Sequence, residues 1–480
     1  MVGAGPSGIA ALRALVDSSS VQTITLVDPI EPGFGNAFGE RCAADPHLMC
    51  NSVAGVTWID AHRDEDFISY LVDRGWPVLW EDHMPRYLFG QYCRQRYKEA
   101  CADAAEAGIQ VHYVRGWVES VRRSGDGYLL TLRDRMEPLT ASDVLLCTGL
   151  DVPQVPPLLK SHADHHRLIH GSYPASKLRK LPSNSKVLVI GLRSSGQDAM
   201  LALSHSGHTV VMTSPSGRLS AVRSKIRQAL GRHLDANALS TLNPEDADFE
   251  EKIARIVSDA VTSAGDGLPV LEQVSLQSDQ LARLRDEVAL AEEGKARWAD
   301  LIFDTVNALN ELVSPWPEEI RRRVLPKGYN VLTRYINSLP LLYGQRLLNS
   351  INSGLVSVSS YYPECVSPDD LGWNVKWADG REERFDYILA ATGFHFPRFP
   401  VDENRAIRIA HAGDIRPNER LPEITLNLRL RLSDDSEPER IWLVGAATNA
   451  RNLFAHVAWV SAQQSRSIAA EIDIAAEAVV

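Results

Sequence analysis

Three glycines near the start of the chain have the spacing of a nucleotide-binding turn. Gly3, Gly5 and Gly8 form a G-x-G-x-x-G pattern, and a helical pattern of apolar residues follows from Ile9 to Leu15. In a strand–turn–helix unit the first glycine allows the tight turn, the second lets the backbone approach a pyrophosphate, and the third lets helix and strand pack closely. The amide groups at the start of the helix would then hold the phosphates.

An acidic residue stands where this kind of turn requires one. The segment Thr23–Asp28 has the pattern of a strand, and its last residue, Asp28, follows Gly8 by 20 positions. At that distance a carboxylate can accept hydrogen bonds from the ribose hydroxyls of a dinucleotide. A first strand of such a unit usually has roughly five residues, and only two residues precede the first glycine here.

A second, altered turn begins at Gly191. The apolar segment Val187–Ile190 leads into it, and Gly196 keeps the third glycine position, but Arg193 replaces the middle glycine. We expect Gly191, Ser195 and Gly196 to bind the phosphates of a second nucleotide. Arg193 has two open interpretations: it contacts a phosphate, or it blocks the ordinary binding pose.

The strand after this second turn ends without an acid. Residues 207–213 have the pattern of the strand, and hydroxyl-bearing residues and Arg218 follow it in place of an Asp or Glu. A missing acid together with a nearby arginine suits the 2′-phosphate of NADP rather than NAD. The alternative is that Arg218 is only a solvated loop charge.

Three further apolar runs end in glycine, at Gly149, Gly393 and Gly445. A glycine at the end of a buried strand lets the backbone come close to a ligand. Together with the two turns, the alternation of strands and helices predicts an α/β fold with two Rossmann-like dinucleotide-binding domains. Residues 219–345 have helical patterns instead, and we expect them to form a mainly helical insertion.

Composition limits the class of protein. At 480 residues the chain is too long for one ordinary core, so two or three domains are expected. No apolar run is long enough to span a membrane. The net charge of −11 argues against a general surface for nucleic acid or for anionic membranes.

The cysteines and histidines predict neither a dithiol nor a metal site. None of the six cysteines forms a C-x-x-C pair, which removes the usual signature of a flavin disulfide reductase and of zinc binding. The histidines at 162, 165, 166 and 170 lack a defined ligand spacing, so no metal is expected. Free thiols in a reducing cytoplasm are the simplest interpretation.

The order of these signals resembles that of the two-dinucleotide-binding flavoproteins over nearly the whole chain, apart from the insertion. Within that superfamily, the Gly33–Phe38 loop, the segment His47–Asn51 and the motif Pro85-Arg86-x-x-Phe-Gly-x-Tyr resemble a group of bacterial FAD–NAD(P)-binding proteins. That group is related to the class B flavin monooxygenases and the amino-acid N-hydroxylases. Residues 170–173 are similar to the stretch that precedes the NADPH domain in those monooxygenases, whereas the Baeyer–Villiger motif F-x-G-x-x-x-H-x-x-x-W is absent.

The resemblance implies that FAD binds at the first turn and NADPH at the second. The expected domain order is an FAD-binding domain (1–160), an NADPH-binding domain (161–218), the helical insertion (219–345), the rest of the NADPH-binding domain (346–384) and the rest of the FAD-binding domain (385–480). The implied site residues are Gly3, Gly5, Gly8 and Asp28 for FAD, Gly149, Gly393 and Gly445 for the approach of strand ends to the cofactors, and Gly191, Arg193, Ser195, Gly196 and Arg218 for NADPH.

Asn51 is the candidate catalytic residue, as a polar group near the junction of flavin and nicotinamide. The alternative is an asparagine that caps its own loop.

The implied activity is that of an FAD- and NADPH-dependent monooxygenase that transfers oxygen from a flavin hydroperoxide to a nucleophilic nitrogen or sulfur of a small molecule. Amino-acid N-hydroxylation in a biosynthetic pathway is one form of it. The expected partners are O₂ and an amine or amino acid, and a homo-oligomer is open. Two alternatives remain: an NAD(P)H-dependent flavin reductase without oxygen transfer, and a flavin-bound scaffold whose second turn has degenerated at Arg193.

Overall fold

The computed structural model describes residues 1–39, 45–150, 152–228, 233–411, 413–433 and 436–477. The helices are α1 (Pro6–Val16), α2 (Asp66–Val72), α3 (Arg86–Glu106), α4 (Ser194–His205), α5 (Ala236–Ser240), α6 (Phe249–Ala264), α7 (Val270–Gln273), α8 (Gln280–Glu292), α9 (Ile302–Val313), α10 (Glu318–Ile336), α11 (Leu341–Asn352) and α12 (Ala458–Glu477). Within these ranges no helix is long and apolar enough to cross a membrane.

The strands of the first half are β1 (Thr23–Asp28), β2 (Gln110–Arg115), β3 (Val118–Ser124), β4 (Gly127–Leu132), β5 (Leu139–Ala141), β6 (Val144–Leu146), β7 (Leu168–His170), β8 (Lys186–Ile190), β9 (Thr209–Thr213) and β10 (Val222–Arg223). Those of the second half are β11 (Leu339–Pro340), β12 (Val356–Val358), β13 (Pro363–Asp369), β14 (Gly372–Trp377), β15 (Glu382–Phe385), β16 (Tyr387–Ala390), β17 (Pro397–Arg398), β18 (Ile407–Arg408), β19 (Ala410–His411), β20 (Glu423–Ile424), β21 (Leu430–Arg431) and β22 (Ile441–Leu443).

The first domain is built on a parallel sheet in the order β2, β1, Val2, β6, β22. β1 pairs with β2, and β22 pairs with β6. Val2 joins the two halves because it bridges Val27 on one side and Leu146 on the other. Val2 therefore takes the place of the first strand in this sheet. An antiparallel sheet in the order β18, β3, β4, β5 belongs to the same domain.

The second domain is built on a parallel sheet in the order β12, β9, β8, β16, β7. The strand β16 lies between β8 and β7, inside this sheet. The expected domain boundary at residue 385 gives this strand to the FAD-binding part and is wrong, because the boundary follows Ala390. A short buried strand that ends at a glycine has the same pattern in either sheet, so the sequence could not assign it.

The insertion is mainly helical, as expected, and contains α5 to α10. Within the insertion α8 ends at Glu292 and α9 begins at Ile302. Between them Gly294 has a φ of +71°, a left-handed conformation that ends helices and favours glycine.

The insertion packs against the first domain and the C-terminal segment. Trp298 and Ile302 share a hydrophobic cluster with Leu12 of α1 and with Phe454. The ring of Phe303 meets the ring of Trp459 edge-on, with centroids 5.4 Å apart. The insertion therefore forms an apolar wall that faces the start of α1 and the start of α12.

Candidate active site

The first glycine turn has the geometry that its spacing predicts. Gly3 has a φ of +100°, and a Cβ there would lie 2.5 Å from the carbonyl oxygen of Cys147. A Cβ on Gly8 would collide with the carbonyl of Gly3. A Cβ on Gly5 would meet only the carbonyl oxygen of Phe34, at 3.6 Å. The first and third glycines therefore allow strand and helix to pack, while the second leaves room beside the backbone.

The start of α1 suits an anion. Gly5 is the N-cap residue and has no side chain with which to cap the helix. The first amide groups of a helix have no carbonyl partner within the helix, and the helix dipole attracts negative charge there. Close by, the hydroxyl oxygen of Thr148 is buried and has no hydrogen-bond partner among the described residues. This cradle fits the pyrophosphate of a dinucleotide such as FAD.

Asp28 lies beside this turn, at the end of β1. Its carboxylate accepts hydrogen bonds from the amides of Ala4 and Ile30, both at 2.7 Å. Burial raises the pKa of this carboxyl, against the opposing effect of the two amides. Each carboxylate oxygen has a second lone pair, so Asp28 can still accept from ribose hydroxyls.

The second turn repeats the backbone geometry of the first. Gly191 has a φ of +142°, and a Cβ there would collide with the carbonyl of Ala391. A Cβ on Gly196 would collide with the carbonyl of Gly191. Arg193 is the N-cap residue of α4, and its Nη2 donates to the Oδ1 of Asn330 in the insertion at 3.3 Å.

The other predicted NADPH residues lie around this turn. The carbonyl of Ser195 accepts a hydrogen bond from the hydroxyl of Ser172 at 2.7 Å. Arg218 is exposed and follows the end of β9, and its guanidinium has no hydrogen bond or ion pair within the part of the chain that the structure describes. A free cation at this position fits a 2′-phosphate, and its role remains a prediction.

The three glycine strand ends differ from one another. Gly149 is exposed, and Gly393 has a φ of +90° with open space where its Cβ would lie. A Cβ on Gly445 would instead collide with the hydroxyls of Ser7 and Ser461. Gly393 leaves an open approach, whereas Gly445 allows the starts of α1 and α12 to come together.

A cavity of about 200 Å³ opens between the first turn, the insertion and the C-terminal segment. This is below the roughly 300–1,000 Å³ of typical ligand pockets, so the cavity suits a small molecule or one part of a larger one. Its apolar wall consists of Phe38, Phe89, Ile226, Ile302, Phe303, Val306, Ile336, Phe454, Val457 and Trp459. Its polar groups come from Ser7, Asn51, Ser52, Thr57, Arg86, Arg223, Asn337, His456 and Ser461.

Asn51 lies in the wall of this cavity. It also lines a much smaller gap beside Ser194 and Asp198 of α4. Its carbonyl and its Oδ1 both accept from Nη2 of Arg223, the latter at 3.3 Å. Asn51 therefore lies between the two glycine turns, and its catalytic role near the flavin–nicotinamide junction remains a prediction.

Two cavity residues were missed by sequence reasoning, Arg223 and His456. Arg223 is 2% exposed, and burial lowers its pKa to about 9, so it stays charged at neutral pH. His456 lines the cavity, and its side chain is exposed. A single arginine in an insertion and a single histidine after a strand carry no motif, so no sequence signal could have found them.

A buried ion pair joins the two dinucleotide-binding domains near this cavity. Nη2 of Arg86, at the start of α3, lies 2.7 Å from Oδ2 of Asp198 in α4. The hydroxyls of Tyr173 and Tyr343 also donate to Asp198, at 2.5 and 3.2 Å. Burial raises the pKa of this carboxyl, against the opposing charge of Arg86. The cluster therefore holds the start of α4 against the first domain.

Comparisons with known proteins agree with this geometry. Residues 1–151 match a family model described as FAD-NAD(P)-binding. No curated protein matches the chain.

Solved structures share the fold over almost the whole chain. An ornithine hydroxylase from Pseudomonas aeruginosa has 13% identity and a TM-score of 0.60, with 98% of each chain covered. An ornithine N-hydroxylase from Kutzneria sp. 744, with reduced FAD, NADP⁺ and L-ornithine, has 16% identity and a TM-score of 0.54, covering 99% of this chain and 98% of that one. A cadaverine monooxygenase from Erwinia amylovora, bound to FAD, has 13% identity and a TM-score of 0.50, covering 98% and 93%.

These matches confirm the expected α/β fold. Residues 1–151 therefore resemble an FAD-NAD(P)-binding family, and the chain shares its fold with the ornithine hydroxylase from Pseudomonas aeruginosa and the ornithine N-hydroxylase from Kutzneria.

Proposed function

We propose that this protein is an FAD- and NADPH-dependent monooxygenase that transfers one oxygen atom from O₂ to a nucleophilic nitrogen, or sulfur, of a small amine or amino acid. The observation that carries the proposal is the cavity of about 200 Å³ at the start of α1. It touches the first glycine turn through Ser7, and through Asn51 it lies beside the start of α4.

Each of the two turns binds one cofactor. Gly3, Gly5, Gly8 and Asp28 hold the pyrophosphate and ribose of FAD, while Gly191, Ser195 and Gly196 hold the phosphates of NADPH and Arg218 its 2′-phosphate. When bound, FAD accepts a hydride from NADPH and supplies the activation of O₂. The ion pair of Arg86 and Asp198 keeps the two binding sites in one relative position, which oxygen transfer requires.

The walls of the cavity suit a reaction from which water must be excluded. Aromatic and aliphatic side chains of the insertion and the C-terminal segment, among them Phe303 and Trp459, cover one side. Such walls exclude water and so prevent hydrolysis and loss of reactive oxygen.

The same environment favours a nitrogen nucleophile. Arg223 is buried, and desolvation lowers its pKa. An amine in this cavity experiences the same desolvation and the positive charge of Arg223, and both effects lower the pKa of its ammonium form. The amine is thereby kept neutral, with the free electron pair that attack on oxygen needs.

The test combines oxygen uptake with product analysis. The FAD-loaded protein, NADPH and a panel of amines and amino acids are incubated under isotope-labelled O₂, with catalase present to remove hydrogen peroxide. We expect at least one compound to stimulate NADPH oxidation and to gain one labelled oxygen atom. Rapid reduction of a quinone or dye with no labelled product would indicate a reductase instead. Failure of NADPH to bleach the bound flavin would exclude both activities.

A further inference from the structure

A buried arginine in the wall of the cavity has no anionic partner among the described residues. Nη1 of Arg223 donates to the carbonyl and hydroxyl oxygens of Ser338, at 2.6 and 2.9 Å. Nη2 donates to the carbonyl of Asn51. All of these acceptors are neutral, and proteins normally pair a buried charge with an opposite one. The cavity therefore holds a positive charge without its counter-charge.

One edge of this buried guanidinium is only partly satisfied by the described residues. Nε has no hydrogen-bond acceptor in the described part of the chain. The contact of Nη2 with Oδ1 of Asn51 is long, at 3.3 Å. Nε and Nη2 together form an edge with two parallel N–H groups, which matches the two oxygens of a carboxylate. Ser338 and the Asn51 carbonyl hold the rest of the group in place.

We propose that Arg223 binds the carboxylate of the substrate, so that the protein selects amines that carry a carboxylate over those that lack one. This inference rests on the proposed function, because it assigns one end of the molecule whose nitrogen is oxygenated. The guanidinium attracts the carboxylate, so it also orients the molecule with its amine directed away from Arg223.

The experiment measures binding to the oxidised, FAD-loaded protein without NADPH. L-ornithine, L-lysine and L-phenylalanine are titrated against their counterparts without a carboxylate, putrescine, cadaverine and phenethylamine, by isothermal calorimetry. We expect at least one carboxylate to bind about tenfold or more tightly than its counterpart. If the wild type binds no carboxylate, or binds each pair equally, the proposal is overturned.

Variants test whether Arg223 causes this preference. Arg223→Gln should abolish the preference, and Arg223→Lys should keep part of it because the charge remains. Arg322→Gln is the matched control, since Arg322 lies in the same insertion but is 73% exposed in its side chain, and it should leave the preference unchanged. An unchanged preference in Arg223→Gln would overturn the proposal. If the Arg223→Gln variant does not fold, the test rests on the affinities of the wild type and of Arg223→Lys for each matched pair of compounds.

The phosphates of the cofactor are the other anion that Arg223 could bind, and the FAD content of the Arg223→Gln variant distinguishes them from a substrate carboxylate. If Arg223→Gln is folded by circular dichroism but purifies without FAD, then Arg223 holds the cofactor and the substrate proposal is overturned. Because these titrations need neither NADPH nor O₂, a protein that fails the oxygen-transfer test can still show the carboxylate preference. The two failures are therefore distinguishable.

Discussion

The ion pair between the two domains allows a prediction with a matched control. Arg86→Met removes the cation that lies 2.7 Å from Asp198, and the two side chains are 10% and 1% exposed. Breaking a buried ion pair by removing one partner costs about 3–5 kcal/mol of unfolding free energy. The tyrosine hydroxyls at 2.5 and 3.2 Å still donate to Asp198, so we expect a loss near the lower end, about 3 kcal/mol.

Arg96 provides the control on the same helix. Its Nε lies 2.6 Å from Oδ2 of Asp66, with side-chain exposures of 10% and 1%, and Tyr92 donates to that carboxylate. Arg96→Met should therefore lose about as much stability, about 3 kcal/mol. The two variants differ in the partner that loses its cation, because Asp66 belongs to the first domain and Asp198 to the second.

The assays are urea unfolding followed by tryptophan fluorescence, and stopped-flow reduction of the flavin by NADPH. Both variants should unfold at lower urea concentration, but only Arg86→Met should slow the reduction, because only that pair positions the second domain. If both variants reduce their flavin at the same rate, the proposed positioning role is wrong. If Arg86→Met loses less than about 1 kcal/mol, as for an exposed pair, the reasoning from burial is wrong.

The stability loss of Arg86→Met should also depend on pH. Burial already raises the pKa of Asp198, and Arg86 opposes that rise, so its removal raises the pKa further. Between the unfolded and folded pKa values the folded state then binds more protons, and stability falls as the pH rises. The free energies of unfolding of the variant and the wild type, measured in urea, should therefore differ less at pH 5 than at pH 8. An equal difference at both values would contradict a buried charged carboxylate.

The remaining predictions concern the cofactor sites. The Gly5→Ala variant should still fold in the absence of FAD, because its Cβ would lie 3.6 Å from the nearest backbone oxygen. It should retain less FAD than wild type after gel filtration. Gly8→Ala should also lower the melting temperature without FAD, because its Cβ would collide with Gly3; equal melting of the two variants would contradict this. Arg218→Ala should raise the KM for NADPH about tenfold and leave that for NADH unchanged in initial-rate measurements, and an unchanged KM for NADPH would show that the pocket is misassigned.

The sequence predicts those parts of the site that the backbone dictates. Gly3 and Gly191 have positive φ values, and Gly8 and Gly196 have no space for a Cβ. Residue type alone reports such constraints, so spacing along the chain was sufficient to place both turns. The fold class follows from the same turns, because each requires a strand before it and a helix after it.

Side-chain partnerships between distant segments were beyond the sequence. Arg223 and Asn51 are 172 positions apart, and no local pattern relates them. Arg86 was an unusual cation at a helix start, which is unfavourable for the helix dipole, and the structure shows that the carboxylate of Asp198 compensates it. Pairings of this kind depend on how domains pack against one another, and single-sequence periodicity does not report that packing.

The two glycine turns also show which of the three glycine positions indicates a bound ligand. In both, the first and third glycines are required by the packing of strand and helix, since a Cβ there would meet backbone atoms of the protein itself. They would be needed with or without a nucleotide. Only the middle position faces open space, at Gly5, and there an added Cβ would obstruct the ligand rather than the fold. In the second turn Arg193 occupies that position and reaches Asn330 of the insertion. The middle glycine therefore supports the proposed first nucleotide site, whereas the proposed second site depends on Arg218 and on whether Arg193 contacts a phosphate or blocks the ordinary pose.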